Sequence, residues 1–593
     1  TLAAKGPFEL SAASVDNRNG GRIIGESATT LESGALQNGG GQIQSVGDLM
    51  LDVAKGAIDN VSGLIRSGAQ LTVNAVSFAN QNTQDKNQGV EAASATFNTG
   101  TLNNQRGVIL TDKALTITNG GLLNNTDGAL ASAGNLTLNG AKLDLLNTGG
   151  VAKAGERLDV DGWRIGGDGD LLSLGDMRLH SDSGLTNGGT IIANDTLHIT
   201  TPGDIANSGK LLAGQQLDLQ SGNLTNAESG EISAGKNSLN ITGTLTNYGL
   251  IDGGYTRIDA NTLTNQGTGR IYGDAIGINT VTFNNLAANG KAATLAGREW
   301  VGIATDTLNN RDHALIYSGG DMVIGGKLDD NGNVTGRAEV INNHSATIES
   351  AGNMWITAGQ INNINDHFST ERVTVSQEQV TEYQHKGSPN RWNANDEGVY
   401  VNRKSADGLR NLNTPEDTGS NNDNFNQYEY QRTVEETRIK ESDPAKILAG
   451  GNLILAGDQL FNDKSQVVAG GTLSTSGMAN GVLNPDVPGE RYTTDVGTVT
   501  HYYRIRHKGS DEQGRDRTDY KPPTVIQEIL LKPGQLISKG DVQGSNITLA
   551  PLTLPATDVT IGEAGAVTGK VDAVSRAPWQ QTVDDGEPVK PQI

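Results

Sequence analysis

The chain has 593 residues, a formal net charge of -22, 78 glycines, no cysteine and only 4% aromatic residues. So strong an acidic balance argues against nucleic acid as a partner, because phosphate binding needs a basic footprint. The missing thiols exclude a disulfide framework, a thiolate metal site and a cysteine nucleophile. With 35% hydrophobic residues and few aromatics, a thin core repeated many times fits better than one thick interior. No apolar run approaches the ~18 residues that span a bilayer, and no signal peptide opens the chain. The pattern is already in register at "VDNRNGG" (15–21), so the sequence reads as a piece of something longer.

From the first residues onward an apolar-x-Asn triplet recurs. Its last residue falls at Asn17, Asn38, Asn60, Asn80, Asn104, Asn125 and Asn147, then at Asn187, Asn207, Asn226, Asn247, Asn265 and Asn285. It continues less evenly at Asn310, Asn343, Asn363 and Asn462. The long step from Asn147 to Asn187 corresponds to two periods with one degenerate copy, "WRIGGDGD" (163–170). A fixed period of roughly 20 residues marks a stacked solenoid.

Between the asparagines, apolar residues alternate with period two, as at Leu217, Leu219 and Leu224. Helical i, i+3, i+4 spacing is missing, and glycine recurs too often for helices. The pattern predicts an all-β chain, a right-handed parallel β-helix of about 20-residue coils. In "LTN" the Leu and Asn then face inward and the Thr outward. A buried amide is costly unless it is paired, and stacked copies can pair with one another. Asn187, Asn207, Asn226, Asn247 and Asn265 are therefore expected to form a structural ladder rather than a ligand site.

Further along, the step from Asn310 to Asn343 contains "GKLDDNGNVTG" (326–336), whose Asp-Asn-Gly-Asn predicts a β-hairpin projecting from one coil. The repeat vanishes between 364 and 446, where charge and aromatics rise. The edges of that break, "RVTVSQEQVTEY" and "YEYQRTVEETRI", predict a stem of two long paired strands. Coils resume over 447–480, and a second break follows, with "HYYRIRHKG" inside an excursion at 491–531. Five domains are thus expected: a stalk at 1–363, an insertion at 364–446, resumed coils at 447–480, a second excursion region at 481–575, and a linker or frayed end at 576–593.

Insertions from a solenoid concentrate function, and Tyr, Trp and Arg are enriched at binding hot spots. Eight of the twelve tyrosines lie beyond residue 380. Trp392, Tyr428, Tyr430, Tyr502, Tyr503, Arg504 and Arg506 are accordingly the candidate contact residues. Alternation puts Tyr502, Arg504 and Arg506 on one face of their strand. The alternative is that one face merely packs the excursion.

Enzymatic chemistry finds little support. Asp366, Asp396 and Glu397 lie in the irregular insertion without a recurring constellation, and the eight histidines lack ligand spacing. "IGGDGDLL" (165–172) has Leu171 where a calcium nonapeptide needs Asp, and "DDNGN" lacks the glycine and distal glutamate of a calcium loop. No catalytic residue, metal or cofactor is expected, although some β-helices are polysaccharide-active enzymes.

The repeat, with "SAGNLTLNG", "LLAGQQLDL" and "ILAGGNLILAGDQLFNDKSQVVAGGTL", resembles the filamentous haemagglutinin repeats of two-partner secretion exoproteins. The breaks, with "VTEYQHKG", "LNTPEDTG", "NQYEYQRTVEETRIKESDPAKILAGGN" and "THYYRIRHKGSDEQGRDRTDYKPPTVIQEI", resemble those of CdiA effectors of contact-dependent growth inhibition. The resemblance implies a secreted filament at the surface of a Gram-negative cell, exported by an outer-membrane partner through an N-terminal domain this chain lacks. It also implies a receptor-binding region that recognises an outer-membrane protein or lipopolysaccharide on a neighbouring bacterium, before a C-terminal toxin, also lacking here, is delivered. A host-directed adhesin is the alternative. The chain itself is expected to be a monomer.

Overall fold

The computed structural model describes residues 1–403, 408–416, 422–532 and 534–538, with short strand segments at 542–543, 560–561 and 567–568. No helix occurs among the described residues, and 70% of the chain is strand. It divides into two compact units. One comprises residues 1–364, 445–484 and the chain from 535 onward; the other comprises 365–444 and 485–534.

The first unit is a parallel β-solenoid with turns of about 21 residues. Its architecture follows from the apolar-x-Asn register. Leu224 pairs with Leu245, Leu245 with Leu263, Leu263 with Phe283, and Phe283 with Leu308. The same column runs on through Ile341, Ile361 and Leu460. Each of these side chains is fully buried, and a buried Leu or Ile contributes roughly 1.5–3 kcal/mol. Because each coil contacts only its neighbours, the core is a stack of thin layers. A 4% aromatic content is enough to fill it.

The asparagine of each triplet is buried beside this column, while Thr225, between Leu224 and Asn226, is exposed. Asn187 Nδ2 donates to Asn207 Oδ1, Asn207 to Asn226, Asn226 to Asn247 and Asn247 to Asn265, each at 2.9 Å. The ladder is polar: every amide donates to the coil that follows. A second bond from the same Nδ2, as from Asn226 to the Leu250 carbonyl at 3.2 Å, ties the corner to the next strand. A tight turn follows each amide. At Gly21 a Cβ would sit 2.5 Å from both the carbonyl and the side-chain oxygen of Asn17, so only glycine fits.

The ladder breaks once. The degenerate coil places Gly167 in the register position between Asn147 and Asn187. Gly167 has a φ of +117°, and a Cβ there would lie 2.6 Å from the Asn147 backbone. The backbone itself occupies the column, which leaves no room for an amide.

The predicted hairpin forms between Lys327–Leu328 and Val334–Thr335, but it does not project. Leu328 is buried at 7% exposure and packs toward Gly277 and Tyr255, and Arg257 donates to the Asp329 carbonyl at 2.7 Å. A Cβ at Gly277 would come 3.1 Å from Leu328 Cδ2, so the missing side chain there gives the hairpin room to lie on the coil.

Candidate functional site

The second unit is one six-stranded antiparallel sheet. Its strands, with those of a small hairpin beside it, are β1 (Ser369–His385), β2 (Trp392–Asn393), β3 (Tyr400–Arg403), β4 (Arg410–Asn413), β5 (Phe425–Glu441), β6 (Val487–Ile505), β7 (Glu512–Tyr520) and β8 (Val525–Lys532). The sheet order is β2-β1-β5-β6-β7, with β8 also paired to β6, while β3 and β4 pair only with each other. The two breaks of the repeat, read in sequence as separate excursions, therefore meet along β5 and β6, from Phe425 opposite Tyr502 to Glu436 opposite Arg491. Residues 576–593, expected to be a linker, lie outside the described residues.

Both faces of the sheet carry an apolar cluster. Phe425 and Tyr428 are an odd number of positions apart on β5, so they point to opposite faces. On one face Tyr428, Tyr430 and Val380 pack with Val499 and Tyr520. The Tyr428 and Tyr520 rings meet edge to face, with centroids 5.0 Å apart. Arg391 covers this cluster: its guanidinium lies 3.8 Å over the Tyr428 ring and donates to Tyr520 Oη at 2.6 Å. On the other face Phe425, Tyr502 and Leu412 pack with Tyr383 and Val401. Phe425 stacks on Tyr502 with centroids 5.1 Å apart, and Arg410 donates to Tyr502 Oη at 2.9 Å. Arg391 and the β3–β4 hairpin belong to the same connection between β1 and β5, so one loop covers both faces.

These clusters correct three of the candidate contacts. Tyr428, Tyr430 and Tyr502 are 7%, 2% and 6% exposed, and they form the unit's core. A single sheet with a thin layer on each face needs large rings to bury enough area, which is why tyrosine is concentrated here. Burial pushes the Tyr430 hydroxyl well above its usual range, with the Glu382 carboxylate adding to the effect. Arg432 closes the cluster with a bidentate bond to Asp495, 2.9 Å on each arm.

The remaining candidates are more accessible but mostly engaged. Trp392 is half-buried, and its Nε1 donates to Glu416 at 3.3 Å. Tyr503 lies on the His501 ring, its centroid 5.5 Å away, opposite Gly514, whose missing side chain lets the ring lie flat. Arg504 is exposed, yet it donates to Asp511 at 2.5 Å and sits 3.4 Å from Asp423. That hydrogen bond holds the Asp511 carboxyl below its usual range. Arg506 follows β6 and is exposed. The structure thus joins Arg504 to Asp511 and Asp423 and does not assemble the seven candidates into one surface. Asp396 and Glu397 are exposed, and Asp396 accepts a turn hydrogen bond from the Asn393 amide at 2.9 Å. Among the described residues no group of three or more His, Cys, Asp or Glu could hold a metal ion.

Sequence reasoning passed over the outer strand. Val525, Ile526 and Leu530 of β8 are 56%, 57% and 60% exposed, and Val496 of β6 is 49% exposed. The adjacent apolar run Ile529-Leu530-Leu531 was the available signal, because a strand cannot turn three consecutive side chains to one covered face.

The described residues thus have the architecture of a repeat protein: a parallel solenoid, and one antiparallel sheet built from two interruptions of the repeat. The haemagglutinin repeat family matches residues 1–101, 87–152, 141–249 and 442–484. The chain is 27% identical over 451 residues to the tRNA nuclease CdiA of Escherichia coli (strain STEC_O31), an alignment covering 72% of this chain and 13% of that protein. It is 27% identical over 391 residues to the deoxyribonuclease CdiA of Dickeya dadantii (strain 3937), covering 60% of this chain and 9% of that protein. No solved structure matches. The chain carries haemagglutinin repeats and is similar over most of its length to CdiA-type, filamentous haemagglutinin-like proteins, which supports its reading as a segment of an extracellular filament. It spans only a small part of the length of the curated relatives it matches.

Proposed function

We propose that this chain is the filament and receptor-binding region of a contact-dependent growth inhibition effector. In this reading the sheet unit recognises an outer-membrane protein or lipopolysaccharide on a neighbouring Gram-negative bacterium. One observation carries it: two interruptions of a haemagglutinin-repeat solenoid, far apart in sequence, build a single unit with its own tyrosine core. A solenoid needs no such unit to hold its coils together, and departures from a repeat are where binding surfaces arise. Export through an outer-membrane secretion partner and delivery of a toxin are assigned to segments outside residues 1–593. The acidic balance supports a protein or glycan target over nucleic acid.

The test is binding of the labelled full chain to intact Gram-negative cells, beside a version in which 365–444 and 485–534 are replaced by short glycine-serine links. Target strains lacking single outer-membrane proteins, or truncated in lipopolysaccharide, identify the receptor class. Loss of binding on removing the sheet unit supports the reading. Binding retained by the shortened chain, or binding confined to host cells as for an adhesin, refutes it.

A further inference from the structure

The sheet unit has two outer edges, and they differ. Along β1 the outer side is paired only near its end, by β2 at Glu382 and Tyr383. The rest of that edge carries the usual protections against strand addition: a bulge between Thr374 and Ser376, and charges of both signs at Glu371, Arg372 and Glu378. The opposite edge is shared by β7, paired with residues 497–505 of β6, and β8, paired with residues 487–493. Among the described strands β8 pairs only with β6, from Val487 opposite Lys532 to Thr493 opposite Val525. A bulge at Leu531 lies at its end, but from Pro488 to Thr493 its register is unbroken, no proline lies within it, and its charges are confined to Glu528 and the terminal Lys532.

The β8 part of this edge is also largely apolar. Ile526 lies opposite Tyr492 and Leu530 opposite Pro488, and Val496 is four residues beyond Tyr492 on β6. Ile526, Leu530 and Val496 therefore share one face of the sheet. Between Ile526 and Leu530, on that same face, stands Glu528, directly opposite Glu490. Like charges opposed across a strand pair are unfavourable. Both carboxylates are exposed, and Glu490 accepts a hydrogen bond from Tyr492 Oη, so Glu528 is the member of the pair offered to an incoming cation.

An exposed, largely apolar edge with several residues in unbroken register is a template for another strand, and edge addition draws its affinity from backbone hydrogen bonds and its specificity from alternate side chains. We infer that β8 is a strand-addition site for a protein partner. The incoming strand carries Lys or Arg opposite Glu528, flanked two residues away on each side by apolar residues that cover Ile526 and Leu530. The inference deepens the receptor-binding reading and rests on it. It commits to the protein class of receptor, since lipopolysaccharide has no peptide backbone to complete a sheet.

The test uses the full chain and two variants, the double substitution Ile526→Thr with Leu530→Thr, and Glu528→Lys. Threonine keeps the strand preference while removing the apolar surface, and near-ultraviolet circular dichroism of the tyrosine core verifies that the unit still folds. Against Gram-negative cells bound by the parent chain, both variants are expected to bind at least tenfold more weakly, while Val375→Thr on the β1 edge binds like the parent. Amide hydrogen exchange on isolated outer membranes is expected to slow at residues 525–531. Unchanged binding by the double variant, or protection confined elsewhere, overturns the strand-addition site while leaving the receptor reading intact. Loss of binding only in strains with truncated lipopolysaccharide also overturns it. Sedimentation of the free chain as a dimer, abolished by the double variant, reassigns the edge to a second copy. Failure of the parent to bind any Gram-negative cell removes both proposals together.

Discussion

Asn363 and Asn462 are 99 positions apart in the sequence, yet Asn363 Nδ2 donates to Asn462 Oδ1 at 2.8 Å, as if they were neighbours in one ladder. The same Nδ2 reaches the Gln466 carbonyl at 2.9 Å. All of residues 365–444 lie between these coils in sequence, and the core column passes from Ile361 to Leu460 without a gap. The solenoid continues because stacking a coil depends on matching register across the strand edge, not on chain continuity.

Asn363→Ala removes a buried donor and acceptor from both adjoining coils. Leaving buried polar groups unpaired costs about 1–3 kcal/mol each. The expected loss is about 2 kcal/mol, confined to coils near the substitution because repeats couple mainly to neighbours. Amide exchange should quicken over 341–364 and 446–470 and remain unchanged before residue 250. Asn363→Ala with parental exchange in both segments would remove the ladder from any stabilising role.

Arg66 and Glu91 face each other on adjacent coils with Nε to Oε2 at 2.7 Å, and their side chains are only 7% and 10% exposed. Removing one partner of a buried pair strands the other, at about 3–5 kcal/mol, whereas replacing both with apolar residues is often neutral. Glu91→Leu alone should destabilise the surrounding coils strongly in urea unfolding. Arg66→Met together with Glu91→Leu should recover most of that loss.

Glu349 lies on the outward side of its strand between Tyr317 and Leu448. Burial pushes its carboxyl up to about 7, with Lys446 opposing the shift. The folded chain therefore keeps a proton that the unfolded chain releases near pH 4.5. Stability from this group is complete below that value, falls as pH rises toward 7, and is level above it. The full loss is about 3 kcal/mol. Glu349→Gln should flatten the dependence, measured by exchange of the adjoining strands between pH 4 and 8.

His385 behaves in the opposite sense. It is 3% exposed, its Nε2 lies 3.0 Å from Thr414 Oγ1, and burial lowers its basicity despite the Glu416 carboxylate. Below about pH 6.5 the unfolded chain takes up a proton that the folded sheet unit resists. The unit should lose stability as pH falls below that value, visible as an earlier loss of the near-ultraviolet tyrosine signal in denaturant at pH 5 than at pH 7. His385→Asn should narrow the difference.

The solenoid was legible because its determinants are local and repeated. Leu224 and Asn226 announce their inward orientation by spacing alone, and the copies around them set the register. The degenerate coil was visible as a skipped asparagine, though not that Gly167 would carry the backbone into the vacated column. The hairpin at 326–336 was legible from its turn residues. Its position was not, because lying flat depends on Gly277 and Arg257, which belong to other coils.

The sequence by itself determined the strand class, the period and the column of buried asparagines, since each follows from a pattern two to some twenty residues long. Only the tertiary structure decided that two breaks in the repeat share one sheet, that Tyr428, Tyr430 and Tyr502 are core rather than contact, and that β8 pairs on one side only among the described strands. Antiparallel pairing of β5 with β6 joins residues such as Phe425 and Tyr502 across the resumed coils. Which face of a strand is covered is settled by the partners that arrive from elsewhere in the chain, and alternation within the strand cannot report them.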